Sequence, residues 1–128
     1  MAKEKWADLR PFFEKVTIHT NGCYEPDDIL DLITDGEHLL WIAWDEQRLA
    51  VDAVMTTRLV EYPRRIVCHV PYIAGKHMGR WLKEFQSTVE DYALKSGATG
   101  IEGAFRRGWA RACGMRETGV TLFKDLMV

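Results

Sequence analysis

The stretch from residue 70 to 85, VPYIAGKHMGRWLKEF, holds the most specific chemistry in this chain. An apolar run enters a loop with two glycines, Gly75 and Gly79, and a helical pattern opens behind it. Free backbone N–H groups and the dipole at a helix start favour an anion. The amides of His77, Met78, Gly79 and Arg80 could therefore cradle a phosphate, with Lys76 and Arg80 adding positive charge. The same residues could form a plain strand-to-helix turn that uses glycine for backbone freedom. The residues alone leave both readings open.

Other reactive side chains are more scattered. Arg106, Arg107, Arg111 and Arg116 form a local basic cluster. It could bind a ligand phosphate or a nucleic-acid backbone, or it could be a solvated face paired with Asp and Glu. A net charge of -2 gives no global pull toward nucleic acid or anionic membrane. With no stacking motif in view, nucleic acid is an unlikely partner. Cys23, Cys68 and Cys113 are odd in number and widely spaced, without a CxxC pair. They read as reduced thiols and not as a zinc site. No His/Asp/Glu spacing suggests a metal. His19 and His38 read as surface or boundary residues.

These groups need elements to position them. The 128 residues fit one domain, 1–128, with an aromatic-rich core, since there are five Trp. No apolar run approaches the roughly 20 residues of a membrane span. The start, MAKEKWADLR, lacks the apolar segment of a secretory signal, so the cytoplasm is the expectation.

DLRPFFEKVTIHTNG predicts a helix with Asp8 as cap and Pro11 in its first turn. EPDDILDLITDG predicts a second helix, ended by Gly36. HLLWIAW is apolar throughout and predicts a strand buried on both faces, with Trp41 and Trp44 in the core. LAVDAVMTTRLVEY and RIVCHVPYI, joined by YPRR, complete an antiparallel meander. The longest helix follows the glycine loop, with Trp81, Leu82, Phe85, Val89, Tyr92 and Ala93 on one face. TGIEGAF is a short strand, RRGWARACG a short helix, and RETGVTLFKDL a final strand. The predicted order is α-α-β-β-β-α-β-α-β. A βαβ crossover makes the third and fourth strands parallel.

This order resembles the GCN5-related N-acetyltransferase (GNAT) superfamily, an α/β fold with a mixed central sheet. The resemblance covers nearly the whole chain in topology. It implies an antiparallel meander followed by a splayed parallel pair, with acyl-CoA in the splay. The family's usual first strand is missing or hidden near residues 17–24. The family loop reads Gln or Arg, two residues, Gly, one residue, then Gly or Ala. KHMGRW matches with Lys76 in the first place and Gly79 in the centre. It departs at Trp81, where a small residue is expected. Many active members also carry a Tyr that protonates the leaving thiolate. Here the corresponding segment, RRGWARACGM, has Trp109 and Ala110. AFRRGWARACGMRETGVTLFKDL further resembles one branch, the degenerate GNAT-like proteins of tailed phages and prophages, which carry an Arg-Gly-Trp step here.

The resemblance implies an acetyl-CoA-dependent transfer to an unknown small-molecule or peptide amine. The strand backbone at Tyr72 and Ile73 would hold the pantetheine arm, and the amides from His77 to Arg80 the pyrophosphate. Such a transfer needs a base for the ammonium proton. His69 and Glu102, one on each splayed strand, are the candidates, and each could instead be an ordinary polar residue of a sheet face. Tyr72 could act as an acid or a substrate contact, or be a half-buried strand aromatic. The other reading is a GNAT-fold protein without catalysis, acting as a binding or virion-associated module. Edge strands in this fold often pair between subunits, so a homodimer is a further expectation.

Overall fold

The structure, a computed structural model, describes residues 3–126. Two helices, α1 (Trp6–Thr17) and α2 (Pro26–Thr34), precede three strands, β1 (Leu39–Asp45), β2 (Ala50–Glu61) and β3 (Ile66–Gly75). The long helix α3 (Met78–Lys95), strand β4 (Ala98–Gly103) and short helix α4 (Gly108–Cys113) follow. The sheet order is β1-β2-β3-β4. β1, β2 and β3 are antiparallel neighbours, and β3 and β4 are parallel.

Each face of the sheet has its own core. On one face Leu9, Phe12 and Phe13 of α1 and Ile29 of α2 pack on Val54 and Tyr72. On the other, Phe85 and Val89 of α3 meet Met55, Val70 and Ile73, and Ala93 meets Cys68 and Ala98. The fully buried residues include Phe13, Leu9, Ile29 and Val54. Helical spacing of the apolar residues on α1 and α3 makes this two-sided packing possible.

Local sequence sets the element ends. Helix α1 starts at Trp6 with Lys5 in the cap position, so Asp8 lies in the first turn instead of capping it and Pro11 falls past the first turn, a correction to the expected start. Helix α2 opens on a capping box between Glu25 and Asp28, with Pro26 at its first position. Gly97 follows α3 with φ 88° and Gly114 follows α4 with φ 66°, left-handed values that end a helix cheaply only with glycine. The segment 17–24, the expected place of the family's first strand, holds the end of α1 and the turns that follow it.

Three further expectations need correction. The final strand over 116–126 does not form: the segment is irregular and exposed, with Leu122 86% accessible. The described order therefore ends α-β-α. β1 is not buried on both faces, because it is an edge strand, and Leu39, Ile42 and Trp44 are exposed. Trp44 leaves the core through an irregularity between Ala43 and Trp44, whereas Trp41 stays inside against Tyr92. His38 is buried, not a surface residue, because β1 begins under the α1–α2 layer.

Candidate functional site

The site begins with a bulge. Between Thr56–Tyr72 and Arg58–His69, β2 advances two residues while β3 advances three. The extra residue falls at Val70–Pro71, where proline's missing N–H costs no ladder bond. The bulge turns the side-chain alternation over. Val70 faces α3, and both His69 and Tyr72 face the α1–α2 side.

The parallel pair ends at the same point. β3 and β4 are registered from Ile66–Ala98 to Val70–Gly103, after which β3 runs on to Gly75 paired with β2 and without β4. A side chain on Gly103 would come within 2.9 Å of the Val70 carbonyl and 2.7 Å of the Phe105 ring. Glycine thus permits the closest approach at the vertex. At the other end of the pair, the Arg65 guanidinium donates to Thr99 Oγ1 at 3.0 Å and to the Thr99 carbonyl at 2.8 Å. A Cβ at Gly100 would come within 2.6 Å of this guanidinium, so glycine there lets it lie flat against β4 without shifting.

His69 and Glu102 are the penultimate pair before the strands part. Nδ1 of His69 lies 2.9 Å from Oε2 of Glu102, and the Tyr62 hydroxyl donates to the same oxygen at 2.7 Å. With Glu102 ionised, Nδ1 must carry the proton, which leaves the Nε2 lone pair as the acceptor. The two side chains are 33% and 39% accessible, so a solute can reach them. Tyr72 is buried beside the pair, edge-on to Tyr24 of the α1–α2 loop. Burial, then the charges of Tyr24, Asp28 and Cys23, push its phenol up to about 12. The hydrogen bond to Glu102, followed by burial, raises the Tyr62 phenol too.

A polar row crosses the sheet here. Arg58 is registered opposite His69, and His69 opposite Glu102. His38, one residue before the registered Leu39–Thr57 pair, falls opposite Arg58. Burial and then the Arg58 charge hold the His38 imidazole below its ordinary pKa. Its Nδ1 and the hydroxyl of Thr56 are buried without a hydrogen-bond partner among the described residues. Sequence reading missed Arg58, Tyr62 and the burial of His38, since only strand register brings them to His69. The misfit of Pro71 inside a strand pattern is the one signal for the bulge.

The glycine loop resolves into two different glycines. A Cβ on Gly75 would meet Ala53 Cβ at 2.5 Å and the Asp52 carbonyl at 2.9 Å, so Gly75 serves the close pairing of β3 with β2 at Ala53. A Cβ on Gly79 meets nothing within 4 Å. His77 holds a left-handed φ of 59° as N-cap of α3, and its carbonyl takes the Arg80 N–H at 2.9 Å. The N–H groups of Met78 and Gly79 in the first turn have no intrahelical acceptor. Lys76 is exposed, and Arg80 pairs with Asp45 at 3.2 Å. The Trp81 indole donates to the Lys76 carbonyl at 2.7 Å and stacks edge-on with Phe85 at 5.2 Å. It turns toward Phe85 and stays clear of the space over Gly79.

A cleft of about 540 Å³ lies between α3, the parallel pair and α4, lined by residues such as Ile73, Phe85, Ile101, Glu102, Phe105 and Trp109. Burial raises the thiols of Cys68 and Cys113, which makes both poor nucleophiles. Trp109, where the family's acid would stand nearby, packs against Phe105. Among the described residues no cluster of His, Cys, Asp and Glu could hold a metal ion. No helix among them is long and apolar enough to cross a membrane.

Solved structures share this architecture. A tetramutant of the BH1408 protein from Bacillus halodurans superposes with a TM-score of 0.72, at 15% identity over 96% of this chain and 95% of that one. A probable acetyltransferase gives 0.69, at 12% identity over 98% and 93%. An aminoglycoside acetyltransferase from an uncultured soil metagenomic sample, in complex with sisomicin, gives 0.65, at 14% identity over 97% and 90%. No family model and no curated protein matches the chain. The chain therefore has the mixed α/β fold of the GNAT acetyltransferases, with β3 and β4 as its diverging parallel pair.

Proposed function

We propose that this chain is an acyl-CoA-dependent N-acyltransferase that acylates an amine. The observation that carries the reading is the His69–Glu102 pair, placed one register before the parallel strands separate. The residues fit the donor. Beyond Val70, the edge of β3 turned away from β2 has no partner strand among the described residues, and Gly79 in the first turn of α3 has open space where a side chain would stand, close in sequence to the exposed Lys76. Residues Tyr72 and Ile73 would hold the pantetheine arm, and the amides from His77 to Arg80 with the Lys76 ammonium the pyrophosphate. Acetyl-CoA, when bound, supplies an activated thioester.

This chain's residues do the rest. Nε2 of His69 takes the proton of the attacking amine, directly or through a water. Glu102 fixes the tautomer and stabilises the imidazolium that forms, as a base-orienting carboxylate does. Tyr72 keeps its proton. Its hydroxyl is a proton-bearing donor on the same sheet face as His69, placed to act as an acid or as a substrate contact. The aminoglycoside acetyltransferase among the structural neighbours supports small polyfunctional amines as the acceptor class.

A rival reading, a GNAT-fold binding module without catalysis, draws on Trp109 and Ala110, which leave the family's tyrosine position without an acid. Release of free thiol from acetyl-CoA on addition of an amine panel separates the two. Amine-dependent thiol release establishes transfer, and none with any amine supports the binding module.

A further inference from the structure

Arg58 projects from the second strand onto the same face as His69 and Glu102 and is exposed. Among the described residues its guanidinium makes no ion pair and no side-chain hydrogen bond. The nearby carboxylate, Glu102, is taken by His69 and Tyr62 instead. Arg58 thus presents an uncompensated positive charge on the sheet face, one strand from the base. Its field reaches His38 in the row and Tyr62 in the β2–β3 turn, helping to lower the His38 imidazole and opposing the rise that Glu102 causes in the Tyr62 phenol.

We propose that Arg58 holds an acid group of the acceptor, so that the acceptor is an amino acid. The inference rests on the acyltransferase reading above. A guanidinium binds a carboxylate through two parallel N–H bonds, which fixes orientation as well as position. Neighbouring strands lie about 4.8 Å apart. An acid group on Arg58 and an amine at His69 are therefore one strand apart, a separation an amino acid bridges. The surrounding charge selects the same class. Glu102, and Asp28 at the start of α2, whose charge reaches Tyr72, favour the ammonium end. A single guanidinium neutralises one carboxylate. A phosphate dianion would keep an unpaired charge facing those acids, so the acid group is a carboxylate.

The test compares each of the twenty common amino acids with its carboxamide, with O-phosphoethanolamine as the phosphate arm. Two readouts are used, thiol release from acetyl-CoA and the melting shift caused by the acceptor alone. Wild-type protein should prefer an amino acid over its carboxamide by ~10–100-fold, the effect of losing a charged hydrogen bond. Arg58→Gln should raise KM for the amino acid by a similar factor and leave the carboxamide unchanged, with Arg58→Lys intermediate. An unchanged melting temperature without ligand shows that the variants fold.

Equal use of amino acids and carboxamides, or no melting shift from any amino acid, overturns the proposal. Preference for O-phosphoethanolamine overturns the carboxylate assignment. An Arg58-dependent melting shift without thiol release would leave the amino-acid site standing and sink the acyltransferase reading.

Discussion

His69 and Glu102 face each other across the parallel strands β3 and β4, Nδ1 to Oε2 2.9 Å, one register before those strands separate. The pair joins a base to its orienting carboxylate at the mouth of the gap. Neither strand alone has this property. The bulge at Val70–Pro71 supplies the geometry, because it ends regular alternation where the gap opens.

Replacing Glu102 by Gln keeps the side chain's size and removes its charge. Nδ1 then lacks a charged acceptor, and the imidazolium loses its counter-charge. Amine-dependent turnover should fall by ~10–100-fold, while binding of acetyl-CoA stays unchanged. Tyr62→Phe removes one of two donors to Glu102 and should cost less than tenfold by the same measure. Steady-state thiol release for the two variants checks this order.

The two loop glycines should separate cleanly. Gly75→Ala drives a methyl group into Ala53 and the Asp52 carbonyl and should destabilise the fold by about 1–3 kcal/mol. Gly79→Ala lies in open space in the first turn of α3, and should be neutral or stabilising by up to about 1 kcal/mol. A bulky residue at position 79 should leave the melting temperature intact yet abolish the shift that acetyl-CoA causes. Urea denaturation and ligand melting curves distinguish these outcomes.

His38 makes stability depend on pH. Its folded pKa lies below the 6.5 of an ordinary histidine, mainly through burial and then through Arg58, with Glu37 opposing and His69 adding to the fall. Below pH 6.5 the unfolded chain therefore binds more protons at this group than the folded one. His38 favours folding fully above that pH, and the contribution is lost as pH falls toward the folded pKa. His38→Phe should flatten the difference in denaturation midpoint between pH 7 and pH 5. An identical pH dependence in the variant would remove His38 from this role.

Much of the fold is legible in the sequence because its elements obey simple periods. The apolar face of α3, the meander and the βαβ crossover follow from residues such as Phe85, Val89 and Ala93 and from the turn at YPRR. The failures have physical causes. The continuous apolar run of β1 looks like a buried strand, but burial depends on having a neighbour at the edge, which local sequence does not report. RETGVTLFKDL has strand-like composition, yet no backbone ladder holds it among the described residues. At the site, the types of His69 and Glu102 stand out in the sequence. Their contact, and the placing of Arg58 and Tyr62 beside them, depends on register across the sheet and on the bulge.

The central claim is that His69 is the base of an acyl transfer whose donor lies along β3 and the start of α3. The most direct measurement is amine-dependent thiol release by the wild type and His69→Gln, with the acetyl-CoA melting shift recorded for both. At 100 times Kd the ligand adds about 2.7 kcal/mol of stability. The account predicts equal melting shifts and a ~10²–10⁴-fold lower turnover in the variant. Equal turnover in the two proteins, or no melting shift with millimolar acetyl-CoA, would contradict it.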